Sequence, residues 1–518
     1  MDTKKRNKLT PSYRPKQVES TPPCQHACPN CGDIRGWIGI VAQAEKNEIP
    51  RALAFEQAWR KITDVNPFPA SLGRICPHPC ESHCNRSGKD ESLAINAMER
   101  FLGDYAIERG LELEGSDELS HPESIGVVGA GPSGLSFAYQ MRRRGYAVTV
   151  YDGRDKPGGM LRYGIPDYRL PVAVLEAEID RIAALGVRFV MNTAVGKELP
   201  LPELRDRHDH VYLGIGAQRG LRMNIEGEDG PGVMTAVDYL RATSGGEPPP
   251  LGEDVVVVGG GNSAIDAART ARRTGARVTL LYRRRIEEMP ASASEIQDAI
   301  DESVKLLFLA APLRVERSEQ GDPVVLHAVR MTLGEEDESG RPRPVAVPGS
   351  DFRIPVSGLI TAISQVPDFS GLEPLSSLVN RGDLNEEPDH VLSGGDVKGL
   401  GIAGNAIVQG RYAAEQLHRT LRGSVETGDE STSVLNQDQV DFGTRPERPA
   451  ARPPVTAVNE RLANPSLEVS GTLSEGQFLD EVGRCLSCGS CFGCERCYMY
   501  CTAGSFKRMD DGVPGRYF

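Results

Sequence analysis

Twelve cysteines are the residues of this 518-residue chain best equipped for chemistry, and none of them falls between Cys84 and Cys485. The first group holds Cys24, Cys28, Cys31, Cys76, Cys80 and Cys84; the second holds Cys485, Cys488, Cys491, Cys494, Cys497 and Cys501. A disulfide framework would need an oxidising compartment. Met1 to Gln17 is basic but has no apolar stretch of the export kind behind it, so the sequence predicts reduced thiols. Thiolates two and three residues apart suit a metal centre, and structural zinc is the simplest one that C-x2-C pairs favour.

Glycines supply the second kind of chemistry. Gly129-Ala130-Gly131-Pro132-Ser133-Gly134 follows the apolar run IGVV and opens a segment of helical periodicity. In such a turn the first glycine permits the tight bend, the second lets backbone N–H groups reach a pyrophosphate, and the third lets helix pack on strand. The helix N-terminus adds partial positive charge toward that anion. Asp152, ending the next strand, is placed to hold the ribose hydroxyls of an adenosine. A second such turn, Gly259-Gly260-Gly261-Asn262-Ser263-Ala264, leads through Asp266 to a strand that ends in Tyr282 followed by Arg283, Arg284 and Arg285. Guanidinium groups there would bind a 2′-phosphate bidentately, which predicts NADPH over NADH.

Two further segments fit a flavin. Gly394-Gly395-Asp396 precedes GLGIAGNAIVQGRYAAEQL, a glycine turn running into a helix, where an aspartate can hold a ribitol and the helix N-terminus can face the ring or its phosphates. Pro157 to Pro166, with Gly159, Leu161, Arg162 and Ile165, reads as a backbone-rich wall against a flat ligand.

These residues need elements to position them. Apolar residues recur at three and four from Ile34 to Ala54 and from Leu93 to Leu111, so residues 1–115 are expected to form a helical module around cysteine loops. IGVVGAGPSGLSFAYQMRRRGYAVTVYD and DVVVVGGGNSAIDAARTARRTGARVTLLYRR each read as a βαβ unit. The expected class is α/β with two Rossmann-like dinucleotide-binding domains. The predicted bounds are 122–245 and 356–425 for an FAD-binding domain, 246–355 for an inserted NAD(P)H-binding domain, 426–475 for a polar, proline-rich strap, and 476–518 for a cysteine-rich tail. With 39% hydrophobic and 25% charged residues the chain is ordinary globular protein, and its net charge of −13 argues against nucleic-acid or anionic-membrane surfaces. No run approaches the roughly 18 apolar residues of a membrane span, so a soluble, cytoplasmic protein is expected, neither secreted nor anchored.

SLGRICPHPCESHC followed by AINAMERF, then GAGPSG, GGMLRYGIP, YLGIGAQ with Ala217, GGGNSAID, YRRRIEEMPA and GGD, resembles the small subunit of glutamate synthase and its relatives over residues 20–425. Those relatives include the matching domains of dihydropyrimidine dehydrogenase. The resemblance implies two 4Fe-4S clusters in the helical module, FAD in the next domain and NADPH in the inserted one. Carried over by position, Cys28, Cys76 and Cys80 share one cluster with a side-chain oxygen from the following helix, where Glu99 stands. Cys24 and Cys84 match two ligands of the other cluster. The family's R-C-L-x-C-G pair upstream of Cys24 is missing, yet Arg484-Cys485-Leu486-Ser487-Cys488-Gly489 reproduces it at the opposite end. The C-terminal strap is therefore expected to return and complete that cluster.

Cys491, Cys494, Cys497 and Cys501 spell C-x2-C-x2-C-x3-C, half of a bacterial ferredoxin, with Thr502 where proline usually stands. Either the chain is a fragment or the motif holds a third cluster with an outside ligand such as Cys31. The expected function is electron transfer from NADPH through FAD to 4Fe-4S clusters, two or three in number, and on to a redox partner protein within a hetero-oligomer. The cofactors carry that chemistry, and no catalytic acid or base is required. The glutamate synthase large subunit is one candidate partner and another iron-sulfur enzyme, such as dissimilatory sulfite reductase, a second. Two alternatives are a pyridine-nucleotide disulfide reductase, which would need a redox C-x-x-C beside the flavin, and a zinc-stapled scaffold without activity.

Overall fold

The computed structural model describes residues 20–115, 119–337, 340–376, 391–423, 433–440, 442 and 446–489. Cys491, Cys494, Cys497 and Cys501 lie outside them.

The N-terminal module is helical, as its periodicity requires. Pro23–Ala27, Ile34–Ala42, Arg51–Thr63, Pro69–Ile75, Pro79–Ser82 and Ile95–Glu108 are its α-helices. Trp37, Phe55, Trp59, Met98 and Leu102 recur at helical spacing and are almost fully buried against one another. The C-terminal helix Glu475–Arg484 seals this core. It starts at a capping box, in which Ser474 accepts from Gln477 N and the Gln477 side chain accepts from Ser474 N. Its Phe478 stacks on Phe101 at 4.4 Å between centroids and meets Phe55 edge-on at 5.3 Å. Burying such a ring stabilises by about 1.5–3 kcal/mol, and Glu475 and Glu481 add polar ties to Arg51 at 2.7 Å and Ala94 N at 2.9 Å.

The strands, in chain order, are β1 (Ser124–Val128), β2 (Ala147–Tyr151), β3 (Arg188–Val190), β4 (His210–Leu213), β5 (Arg219–Gly220), β6 (Val233–Thr235), β7 (Asp254–Val258), β8 (Arg277–Tyr282), β9 (Lys305–Phe308), β10 (Ala310–Arg317), β11 (Pro323–Glu336), β12 (Pro342–Ala346), β13 (Phe352–Pro355), β14 (Gly358–Thr361), β15 (Gln365–Val366) and β16 (Val391–Ser393). The first sheet runs β16-β4-β1-β2-β3 and the second β6-β14-β7-β8-β9, every pair parallel. Each is a doubly wound sheet with its glycine turn between the central strand and a helix, as expected.

The second sheet is wider than the 246–355 segment expected for it. Its β6 lies before that segment and β14 after it, with Leu359 opposite both Val233 and Val256. Short apolar runs such as Val233–Thr235 do not reveal which of two similar sheets they will join; only parallel pairing decides it. The antiparallel pair β5 and β15 marks the double crossing between the two bodies. Beyond them, β10 to β13 form an antiparallel sheet.

The described part of the strap spans all three bodies. Arg461 is buried and reaches Asp298 at 2.9 Å, Arg273 donates to the carbonyls of Pro465 and Leu467 at 3.1 and 3.2 Å, and Glu468 pairs with Arg74 and Arg100 at 2.8 Å each.

Candidate functional site

A cleft of about 420 Å³ opens at the C-terminal ends of the first sheet, where a doubly wound sheet binds its ligand. Gly129, Gly131, Pro132, Ser133, Asp152, Gly159, Gly395 and Asp396 all line it, so four separate sequence segments converge on one site. The turn is sterically obligatory. Gly129 has φ +103°, and a Cβ there would stand 2.3 Å from the Gly214 carbonyl oxygen. At Gly131 a Cβ would meet only Gly159 Cα, at 3.9 Å, and would otherwise point into open space. That opening is the approach a pyrophosphate needs. Gly134, buried on the adjoining helix turn, serves packing of the helix against the strand.

Asp152 is fixed by two backbone donors, Ala130 N at 2.7 Å and Arg154 N at 2.8 Å, one to each oxygen. Asp152 lines the cleft, and each of its oxygens has a second lone pair to offer a ligand. Ser133 Oγ lies 2.6 Å from the Tyr212 hydroxyl beneath the cleft floor. Asp396 accepts from Gly401 N at 3.1 Å, and burial raises its pKa above the usual carboxylate value.

Besides Gly134, four predicted residues do not line this cleft. Leu161 is buried in the core, Arg162 is spent on the Pro157 carbonyl at 2.6 Å and on Glu176 at 2.9 Å, and Ile165 packs against the core. Ala217 is fully buried behind Gly216. Met160, Tyr163, Arg154, Lys197 and Gln218 line the cleft instead. Arg154, two residues after Asp152, is the one the sequence could have offered, since a cation beside an adenosine strand end is a natural phosphate contact.

The second turn places Gly261, Asn262 and Ser263 at the start of the helix Asn262–Arg273. Arg283 is exposed just beyond the end of β8. Arg284 departs from the expectation: it is 2% exposed, donating to the Pro342 carbonyl at 2.8 Å and to Asp337 at 2.5 Å. It ties β8 to the β11–β12 hairpin and has no reach left for a phosphate. Asp266 departs as well. Both its oxygens accept from Arg169 Nη1, at 2.7 and 2.9 Å, joining the second body to the first.

Seven cysteines and Glu99 gather into two quartets. Cys28, Cys76, Cys80 and Glu99 line one cavity, together with Asn66, Trp37 and Gly404. Cys24, Cys84, Cys485 and Cys488 line another, together with Pro22, Arg35, Asn85 and Leu486. The two ends of the chain thus meet around one cavity, as the displaced R-C-L-x-C-G signature predicts. Burial pushes the Cys76 thiol up to about 12 and raises those of Cys28, Cys80 and Cys24 as well; burial likewise holds Glu99 at about 7, against the hydrogen bond from Asn66 at 2.7 Å. Such donors ionise when a highly charged centre occupies the cavity, which is the chemistry an iron-sulfur core supplies. Among the described residues no three His, Cys, Asp or Glu side chains are gathered closely enough to hold a metal ion. The two sets of side chains ring cavities instead. Cys31 stands apart, exposed, 3.7 Å from the Tyr412 hydroxyl.

Comparison with known proteins agrees with this geometry. Residues 123–397 match the pyridine nucleotide-disulphide oxidoreductase family, and residues 6–111 match the dihydropyrimidine dehydrogenase domain II, 4Fe-4S cluster family. The beta subunit of NADP(+)-dependent formate dehydrogenase from Moorella thermoacetica is 36% identical, over 90% of this chain and 70% of its own. The glutamate synthase [NADPH] small chain of Azospirillum brasilense is 33% identical, over 78% of this chain and 87% of its own. The NADPH-Fe(3+) oxidoreductase beta subunit of Geobacter sulfurreducens is 40% identical over 68% of this chain, which spans about half of that relative, 52%. No helix among the described residues is long and apolar enough to cross a membrane. The chain belongs to the pyridine nucleotide-disulphide oxidoreductase family and, with its 4Fe-4S module, is an NADPH-dependent iron-sulfur flavoprotein oxidoreductase of the glutamate synthase small-chain kind.

Proposed function

We propose that the chain arranges its sites as a relay: nucleotide at Gly261, Asn262, Ser263 and Arg283; flavin at Gly131, Asp152 and Asp396; one cluster on Cys28, Cys76, Cys80 and Glu99; a second on Cys24, Cys84, Cys485 and Cys488. FAD held by Gly131, Asp152 and Asp396 would supply a hydride acceptor for NADPH, and clusters held by the two sets of ligands would supply one-electron transfer. The observation that supports this order is the first turn of the helix Ala403–Arg422. Ala406 lines the flavin cleft and Gly404, two residues earlier, lines the Cys28 cavity. One helical turn therefore separates the two sites. Asp152 and Asp396 orient the flavin's adenosine and ribitol ends, and the dry, apolar wall of Trp37, Ile62 and Leu72 keeps water from the Cys28 cavity.

The acceptor is a redox partner protein in a cytoplasmic hetero-oligomer, either a glutamate synthase large subunit or another iron-sulfur reductase. The disulfide-reductase reading fails on composition, because no cysteine lies between Cys84 and Cys485 to serve beside the flavin.

Rapid mixing of anaerobic protein with NADPH tests the order. A Cys76→Ser/Cys80→Ser variant should still show bleaching of the flavin absorbance, while the spectroscopic signal of the remaining cluster appears far more slowly than in the wild type. An unchanged rate at that cluster would overturn the proposed order.

A further inference from the structure

Asn85 follows Cys84 directly, at the start of the 3₁₀ turn Asn85–Gly88, and only 6% of it is exposed. Its Nδ2 donates to the Leu435 carbonyl at 3.1 Å and to Cys488 Sγ at 3.6 Å. Both neighbours are acceptors, so the orientation of the amide is forced and both its hydrogens are used. Among the described residues this is the side-chain donor placed on a sulfur of either quartet from an amide. Backbone donation to sulfur is balanced between the cavities, Ser487 N to Cys485 Sγ here and His78 N to Cys76 Sγ in the other, each at 3.4 Å; the other cavity's amide, Asn66, donates at 2.7 Å to the Glu99 carboxyl and not to a sulfur.

The charges around the Cys24 cavity leave room for this bond to matter. Arg86 and Arg484 are buried beside it but are matched by Asp90 and Glu481, at 2.5 to 3.0 Å. Arg35 is turned to the carbonyls of Ser20 and Cys488, at 3.3 and 3.1 Å, and not to a sulfur. A hydrogen bond to a ligating sulfur favours the more negative, reduced form and raises the reduction potential.

We propose that Asn85 is a positioning residue for electron flow: its amide N–H, donated to Cys488, raises the potential of the Cys24–Cys84–Cys485–Cys488 cluster above that of the cluster on Cys28, Cys76, Cys80 and Glu99. Electrons supplied by NADPH are thereby drawn toward the C-terminal end of the chain. The tuned step is the gain of one electron; Asn85 itself makes and breaks no covalent bond, and the partner protein takes the electron away. This inference rests on the ligand assignment made above.

The test is a potentiometric titration of the full chain, followed by electron paramagnetic resonance, with iron and sulfide counted for every variant. Asn85→Leu removes the donor at similar volume, and Asn85→Asp keeps the shape while replacing the donor by an acceptor. At the wild-type midpoint, Asn85→Leu should shift the reduced-to-oxidised ratio of this cluster about ten-fold toward oxidised, equal to about 59 mV for one electron. Asn85→Asp should shift it further, and the other cluster should keep its midpoint in both. Full iron content with an unmoved midpoint would overturn the proposal, and so would loss of the cluster in both variants, which would make Asn85 a support of the loop alone. A Cys485→Ala variant that keeps all its iron and both signals would overturn the ligand assignment, and the proposal with it.

Discussion

Arg484 Nη2 stands 3.0 Å from Asp90 Oδ1 although 394 residues separate them. The same guanidinium binds Glu481 through Nη1 and the carbonyls of Arg448, Ser92 and Glu91, so every donor it has is used inside the protein. Cys485 comes next in the chain and is delivered to its cavity by this anchor. The Cys24 site is thus brought together from the two ends by packing and ion pairing of their neighbours.

Replacing Cys485 and Cys488 together by alanine should therefore leave the fold intact and lower the iron count of the N-terminal module. The expected loss is the four irons of one cluster, with FAD and the Cys28 cluster retained. Iron and sulfide analysis per flavin checks this. A variant with unchanged iron would show the N-terminal module to be self-sufficient.

Gly131→Val should abolish FAD retention, because the new side chain enters the opening that a pyrophosphate needs. Gly261→Val should leave FAD in place and prevent its reduction by NADPH, since the Cβ position there likewise faces space, with Pro290 Cγ the nearest atom at 3.9 Å. Flavin released on denaturation and stopped-flow bleaching separate the two. A Gly131→Val protein with full flavin would remove the assignment of that turn.

Much of this was legible because the signals are local. A strand, a glycine turn and a helix occupy one contiguous stretch, and their chemistry is fixed by backbone conformation, so Gly129 to Gly134 and Gly259 to Ser263 fall where the sequence puts them. Cysteine is rare enough that two displaced thiols could be matched across the chain. Arg284 and Asp266 misled because their roles are set by distant partners, Asp337 with Pro342 and Arg169, that no local pattern names. Leu161, Arg162 and Ala217 belong to segments that do reach the cleft, but it is their neighbours that face it. Asn85 left no sequence signal at all, since its meaning depends on Cys488.

The division of labour between Arg283 and Arg284 can be measured. Arg283→Gln should raise the KM for NADPH roughly ten-fold or more and leave that for NADH nearly unchanged, as a charged hydrogen bond contributes about 1.5–3 kcal/mol. Arg284→Ala should instead lower the melting temperature and affect both nucleotides alike, because it removes the buried tie from β8 to Asp337 and the Pro342 carbonyl. Equal effects of Arg283→Gln on the two nucleotides would mean that Arg283 does not read the 2′-phosphate.

The Arg169–Asp266 pair predicts a stability effect where a nucleotide effect would be expected from sequence. Both side chains are at most 10% exposed, and Arg169 also reaches Glu295 at 3.1 Å, so the guanidinium is the bolt between the two nucleotide-binding bodies. Arg169→Met leaves Asp266 buried without its cation, while Glu295 keeps Arg269 at 2.5 Å; breaking a buried pair in this way costs about 3–5 kcal/mol and should lower the first thermal transition accordingly. Asp266→Asn should cost less, since an amide oxygen still accepts from Arg169 while Glu295 keeps its own contact. In the Arg169→Met/Asp266→Asn double variant part of the loss should return, because one stranded charge is gone. Differential scanning calorimetry beside NADPH titrations of all three proteins decides the matter. If Asp266→Asn weakens NADPH binding while its transition stays at the wild-type temperature, Asp266 touches the nucleotide and the joint is held by Glu295 alone.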